Sequence, residues 1–266
     1  MGFYAPAQLI RNAREHGVEV RPIDVNHSRW DCTLEEGALR LGLRMIAGMP
    51  RDHGQLIEQS QPFGAIDDVR RAGVPQRTIE RLAEADAFKS LQLNRRASLW
   101  ESLRPAANAP LFQDAEDAES PFDLPTKLEQ DEVFADYKTT GVSLRAHPLR
   151  FFRSELDRLR ITTASRLADL PDASPVQVAG LVLVRQRPGT AKGVTFVTLE
   201  DETGVANLII RLQVWNRFRD VARTAPALIA GGRLQNQQGV LHVLVNKLEN
   251  LNDAVGGLRS RSRDFH

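Results

Sequence analysis

Between Pro175 and Leu251 the apolar positions switch from a strand period to a helical one and back. Val176 and Val178 alternate with polar or small residues. Leu181 to Val184 then form a continuous apolar run, the mark of a strand covered on both faces. Arg187 to Gly193 is a polar loop, and Val194 to Leu199 is a second run rich in Val, Thr and Phe. Glu200 to Gly204 is a turn, and Val205 to Ile210 is a third strand. Leu212, Trp215, Phe218 and Ala222 recur at helical spacing. Two more strands follow, Ala227 to Arg233 and Val240 to Leu248, joined by Gln235 to Gly239. Three strands, a helix and two strands in roughly eighty residues is the order of an OB-fold, a small Greek-key barrel that grips single-stranded nucleic acid across strands two and three.

Upstream the pattern is mixed. Pro6 to His16 predicts a helix with Leu9, Ile10 and Ala13 inward. Val18 to Val25 predicts a strand, with Pro22 pointing to an edge or a bulge. Cys32 to Glu35 and Leu39 to Ile46 predict strands that pair with it. His27, Ser28, Asp31 and Cys32 are read as loop polar groups, since nothing in the sequence fixes a nucleophile geometry among them. From about Gln55 to Ser102 the period is helical. Phe63 to Arg71 and Gln76 to Glu84 flank a tight Ala72-Gly73-Val74-Pro75 turn, and a short break at Ala85 to Phe88 precedes a helix through Arg95, Arg96 and Trp100. Helices paired about a glycine hairpin look like helix-hairpin-helix motifs, in which backbone amides at a helix N-terminus hold a DNA phosphate. The first hairpin, with Gly73, is the phosphate candidate. The second, with Asp86 where a glycine would suit an anionic partner, is read as structural. Lys127 to Thr139, Leu149 to Leu159 and Thr163 to Leu170 are three further helices.

The fold class expected is therefore multidomain α+β. Residues 1–55 form an α/β segment, 56–104 a tandem helix-hairpin-helix, 105–126 an acidic linker, 127–171 a helical connector, 172–251 the OB barrel and 252–266 a basic tail.

Charge sharpens this organisation. The whole chain is balanced at +1, but Arg70 to Arg104 carries eight bases and four acids, and Pro175 to Asn250 nine bases and five acids. Between them, Asp114 to Asp136 carries nine acids and one base. Two basic modules about an acidic connector fit phosphate binding. A single cysteine, Cys32, gives no internal disulfide and fits a reducing cytoplasm. No apolar run reaches the length of a membrane span.

Chemistry for catalysis is sparse. There is no Walker loop, paired CxxC, HExxH or GxSxG, and the six histidines lack metal-ligand spacing. Glu200-Asp201-Glu202 could hold Mg²⁺, but it runs into Thr203-Gly204 and is read as a barrel turn. The nucleic-acid candidates are Gly73, Arg77, Arg95 and Arg96 in the helical region. In the barrel they are Arg185, Arg187 and Lys192 around the first loop, Gln235 and Gln237 at the last hairpin, and Phe196 on strand two. Phe196 is a base-stacking candidate whose apolar neighbours favour the core.

Five stretches together resemble the C-terminal part of bacterial C-family DNA polymerases, closer to the error-prone, damage-inducible paralogue than to the replicative alpha subunit. They are MGFYAPAQLIRNAREHGVEVRPIDVNHSRWDCTLE, LRLGLRMIAGM, RLAEADAFKSLQLNRRASLWE, TGVSLRAHPLRFF and GVTFVTLEDETGVANLII. The resemblance implies the end of the fingers, a tandem helix-hairpin-helix on primer-template duplex, and an OB domain near the single-stranded template. It places the catalytic aspartates and their Mg²⁺ in a palm upstream, so this chain carries no cofactor and is expected to be inactive alone. Replicative members carry a clamp-binding peptide after the hairpins. Asn108, Leu111 and Phe112 stand at that place with Asn108 for the usual Gln, which implies only indirect contact with the sliding clamp, through an accessory translesion protein of Y-polymerase type. Two alternatives remain: a stand-alone single-strand-binding module, and a docking module for a polymerase accessory subunit.

Overall fold

The structure, a computed structural model, describes residues 6–104, 128–189, 193–237 and 239–253. Lys192, the whole acidic linker with its Asn108, Leu111 and Phe112 peptide, and residues 254–266 of the basic tail lie outside the described residues. The chain divides into two compact units, one Leu9–Arg145 and the other Ala146–His266 with the first eight residues. The division falls inside the stretch 127–171.

In the first unit, α1 (Pro6–Glu15) leads to a three-stranded sheet of β1 (Val20–Arg21), β2 (Thr33–Glu35) and β3 (Ala38–Arg40), in the order β1-β3-β2. β1 is an edge strand, as Pro22 suggests, because a proline has no amide to give a neighbour. The strands are shorter than the apolar runs imply. Leu39 to Ile46 leaves the sheet after Arg40 and turns into a 3-10 helix at Leu43–Met45. The Asp24 to Ser28 loop explains why this segment is inseparable from the helices that follow. Buried Asp24 accepts the amides of Asn26 and Ser90, both at 2.9 Å, and Asn26 exchanges hydrogen bonds with the backbone of Phe63 at 2.7 and 2.9 Å. The Ser28 hydroxyl is buried and donates to the Leu41 carbonyl at 2.7 Å, so it is a loop tie and not a nucleophile.

The helical part is α2 (Arg51–Ser60), α3 (Ile66–Arg71), α4 (Gln76–Glu84), α5 (Arg95–Leu103) and α6 (Glu129–Thr140). α2 starts earlier than its hydrophobic pattern suggests, directly after Pro50, a residue that sets φ without needing an amide partner. α4 buries Ile79, Leu82 and Ala83 with one apolar face, as its period requires.

In the second unit, α7 (Arg153–Arg158) follows a 3-10 turn at Pro148–Phe152, where the sequence suggests one continuous helix. Then come β4 (Pro175–Gln186), β5 (Thr195–Glu200), β6 (Val205–Ile210), α8 (Leu212–Arg217), α9 (Arg219–Thr224), β7 (Ala227–Gln237) and β8 (Val240–Asn250). The five strands close into a barrel in the order β4-β5-β6-β8-β7, with β6 and β8 parallel and the other pairs antiparallel. This is the expected OB arrangement. Closure accounts for the strands that outrun their patterns. β4 pairs with β7 through Pro175–Leu181 and with β5 through Leu181–Gln186, so one long strand bridges two neighbours. A bulge between Val182 and Val184 changes which face the side chains take, and Leu181 to Val184 is half-buried and not covered throughout. β7 and β8 approach so closely that a Cβ on Gly232 would lie 2.2 Å from the Leu244 carbonyl oxygen. The interior holds Val178, Val197, Leu208, Leu228 and Val243, and α8 and α9 lay Trp215, Phe218 and Val221 against this core. Outside, Ala179 and Ile229 pack with Leu149, Leu156 and Ile161. Among the described residues no helix is long and apolar enough to cross a membrane.

Candidate nucleic-acid interface

The first hairpin presents an open turn followed by a helix N-terminus. Val69 and Val74 bury its two sides, and Gly73 sits at φ +87°, where its Cβ position is open and L side chains are strained. Pro75 precedes α4, so the amides of Gln76 and Arg77 open the helix ahead of any i→i−4 acceptor. Gly73 and Arg77 are exposed. Arg70 is not available to a ligand: it binds Asp67 at 2.5 Å and the carbonyls of Ser102 and Glu101 at 2.5 and 3.2 Å, tying the hairpin to the end of α5. On the entry side, the Asp68 carboxylate accepts the amides of Gly64 and Ala65 at 2.8 and 2.9 Å. These two bonds, with Arg71 beside them, hold Asp68 below the usual aspartate range. A depressed carboxylate contributes stability above its unfolded pKa and loses it as pH falls through the folded value. The start of α3 should therefore open below a pH of about 4, and Asp68→Asn should flatten that dependence in amide exchange of residues 63–72. An unchanged acid profile would contradict it.

The second hairpin is closed to ligand. Asp86 takes the left-handed conformation at φ +59° and is buried, with Arg145 at 2.7 Å and Lys89 at 3.1 Å. Arg95 overturns its expected role. It is 2% exposed and binds Glu132 at 2.5 Å and Asp136 through its other terminal nitrogen. Its charge is spent inside the protein. Arg96 is half-buried and already engaged.

Arg185 is corrected in the same way. It reaches across the end of the barrel and donates to the carbonyls of Ala222, at 2.9 Å, and Ala225. These are the last acceptors of α9, where the helix dipole is negative. Burial without a carboxylate pulls its pKa down from the ordinary arginine value. Arg185 therefore fastens the helices to the barrel.

Phe196 overturns the core expectation in the opposite sense. Thr195, Val197 and Leu199 are buried, so the two-residue period turns Phe196 outward, and it is 37% exposed. Registers place it in a row. Phe196 faces Gln186 on β4 and Ile209 on β6, and Ile209 faces Leu244 on β8. The adjacent row is polar: Thr198, Asn207, His242 and Gln235 are successive partners across β5, β6, β8 and β7. The Thr198 hydroxyl donates to Asn207 at 3.1 Å. Arg187 is exposed one residue beyond Gln186, at the Phe196 end of the band. Gln237 is exposed and pairs with Val240 at the other strand end. An apolar row beside a row of amides, hydroxyls and an imidazole suits bases laid flat on one and hydrogen-bonded by the other. Sequence reasoning missed Asn207 and His242, which emerge only through the β6–β8 closure.

Glu200-Asp201-Glu202 is the expected turn. Asp201 is buried and accepts the amides of Thr203 and Gly204 on one oxygen, at 2.7 and 2.9 Å, and that of Ala164 on the other at 2.7 Å. Arg153 grips Glu202 with two bonds, at 2.5 and 2.9 Å. Burial opposes the Arg153 charge, but Glu202, with Asp201 and Asp157 behind it, outweighs this and raises its pKa. Neither this trio nor Asp86, Glu132 and Asp136 suits Mg²⁺, because guanidinium or amide donors already face these carboxylates.

A hairpin of helices with an open N-terminus, followed by a five-stranded barrel of OB type, defines the class. A family model described as a helix-hairpin-helix motif matches residues 17–98, which spans both the small sheet and the helices bonded to it. The chain also aligns over its whole length with curated proteins. It is 46% identical to the error-prone DNA polymerase of Rhodopirellula baltica, covering 24% of that protein. It is 43% identical to error-prone DNA polymerase 1 of Agrobacterium fabrum, covering 27%, and 44% identical to the error-prone DNA polymerase of Anaeromyxobacter dehalogenans, covering 25%. Over its whole length the chain is similar to one part of these error-prone DNA polymerases, and it spans about a quarter of the length of the curated relatives it matches.

Proposed function

We propose that this chain is the DNA-holding portion of an error-prone, translesion DNA polymerase, with duplex backbone seated on the first hairpin and single-stranded template laid across the barrel. The observation that carries the reading is the outward row of Phe196, Ile209 and Leu244 beside a polar row. Stacking on Phe196 suits a polymerase that must hold unread template of any sequence, because every base has a π-face. Nucleotidyl transfer and its metal are assigned to sequence that relatives carry and this chain does not span. An accessory protein of Y-polymerase type, indirect contact with the sliding clamp and a cytoplasmic location belong to the same proposal. They are supported by the similarity to error-prone DNA polymerases and by the degenerate Asn108, Leu111 and Phe112 peptide.

The test is a titration of labelled single-stranded and duplex oligonucleotides over a salt series. Phe196→Ala with Arg187→Ala is expected to weaken single-strand binding by about tenfold or more and to leave duplex binding unchanged. Arg77→Ala should do the reverse. Equal affinity of the Phe196/Arg187 variant and the parent for single strands, or no binding at low salt, would sink the proposal. Binding of protein in place of DNA would favour the docking alternative.

A further inference from the structure

The segment that caps the barrel carries a charge pattern that the candidate interface does not use. From Arg211 to Thr224 there are four arginines, Arg211, Arg217, Arg219 and Arg223, and a single acid, Asp220. All four arginines are exposed. None makes an ion pair among the described residues, and Arg217 lies over the Phe218 ring at 5.3 Å. The inner side of the same helices is spent on the core through Trp215, Phe218, Val221 and Ala222. The arginines are thus held on a packed scaffold and not on a loose tail.

Their position relative to the Phe196 row follows from the registers. Phe196 faces Ile209, and Arg211 lies two residues beyond Ile209, where β6 passes into α8. The loop after β4 returns against the same place, since a Cβ on Gly193 would lie 3.3 Å from the Leu212 side chain. At the other edge of the cap, Arg185 fastens the end of β4 to the last carbonyls of α9, next to Arg223. The exposed Arg187 thus emerges two residues from one end of the helical cap, while Arg211 begins the other. Beyond the Ile209 end of the row the chain runs directly into a segment with four exposed arginines and one acid. Guanidinium forks match phosphate oxygens and carry no base preference.

We propose that the α8–α9 cap is a phosphate track, on which Arg211, Arg217, Arg219 and Arg223 hold the backbone of the single strand after it leaves the Phe196 row. The inference rests on the reading of the band as a single-strand site. It predicts that binding depends on strand length, because only a strand longer than the band reaches the track.

The experiment compares the parent chain with a variant bearing Arg→Gln at 211, 217, 219 and 223. A second variant bears Arg→Gln at 150, 158, 160 and 166, exposed arginines of the same unit that precede the barrel. Both lose equal charge, and thermal melts confirm that both are folded. Single strands of about 6 and about 30 nucleotides are titrated over a salt series. On the long strand the first variant is expected to lower the salt slope by about 2–3, four phosphate contacts at about 0.7 each. It should leave the short strand near the parent value, and the second variant should leave both near it. Equal loss in the two variants, equal loss on short and long strands, or an unchanged slope would overturn the track while the Phe196 site stands. If the parent binds neither strand, the underlying reading falls with it. Should the fourfold variant fail to fold, Arg211→Gln with Arg223→Gln carries the same comparison, with about half the slope change.

Discussion

Arg95→Met is expected to destabilise the Leu9–Arg145 unit by about 3–5 kcal/mol, a loss comparable to that from breaking any buried ion pair. The side chain is almost fully buried, and its two terminal nitrogens each hold a carboxylate, Glu132 and Asp136, that is itself about 15% exposed. The same guanidinium also donates to the Glu132 carbonyl at 3.0 Å, so it ties α5 to the backbone of α6. Removing it leaves two carboxylates close together, offset among the described residues by Arg145, 3.4 Å from Glu132 and 3.5 Å from Asp136, and by the Ser143 hydroxyl, which donates to Asp136 at 2.6 Å. Breaking one side of a buried ion pair is costly because the orphaned charge stays desolvated. Arg95→Lys keeps the charge but cannot span both carboxylates, and should fall between the parent and the methionine variant. Urea denaturation followed by peptide-resolved amide exchange over residues 76–103 and 129–145 measures the loss. A change under about 1 kcal/mol would show that the pair behaves as a surface salt bridge. Where the variant remains folded, duplex binding should be unaltered, since Arg95 faces no solvent.

The second large effect is expected at Asp201. Its carboxylate holds three backbone amides and the Thr203 hydroxyl, and among the described residues Arg153, at 4.0 Å, balances its charge. Asp201→Ala takes from the amides of Ala164, Thr203 and Gly204 the acceptor they share. At about 1–3 kcal/mol for each unsatisfied buried group, partly relieved by water at the turn, the barrel should lose about 3 kcal/mol or more. Exchange of the Glu200–Ile210 amides and of Ala164 should rise together, since the carboxylate ties the two segments. Asp201→Asn retains one acceptor for the turn but presents an amide to Ala164, and should lose about half as much. Independent rise of the two regions, or no rise, would show that the turn stands without its carboxylate.

These two residues also mark how far the sequence can be read. Asp201 is legible as a turn because Asp-Glu-Thr-Gly is turn chemistry within a few residues, and local chemistry is written locally. Arg95 reads as a DNA contact in the sequence, wrongly, because its partners lie 37 and 41 residues away, across the acidic linker. The same distinction governs the barrel. Period alone yields its strands, its helical cap and their order, since alternation is a property of neighbouring residues. The apolar neighbours of Phe196 also imply that it is core. Only the strand register shows that Val197 and Leu199 take the inside, and Phe196 therefore the outside.

The set of elements, the two basic modules and the resemblance to error-prone polymerases are thus all carried by the order of residues along the chain. Which charges remain free is settled only by folding. Arg95 and Arg185 are neutralised or capped by groups distant in the chain, while Arg187 and the four arginines of the cap have no such partner among the described residues. The physical reason is that a charge becomes a binding group only when folding leaves it without a carboxylate or carbonyl to satisfy it, and those partners are chosen by closure of the barrel and by the approach of α6 to Arg95 on α5.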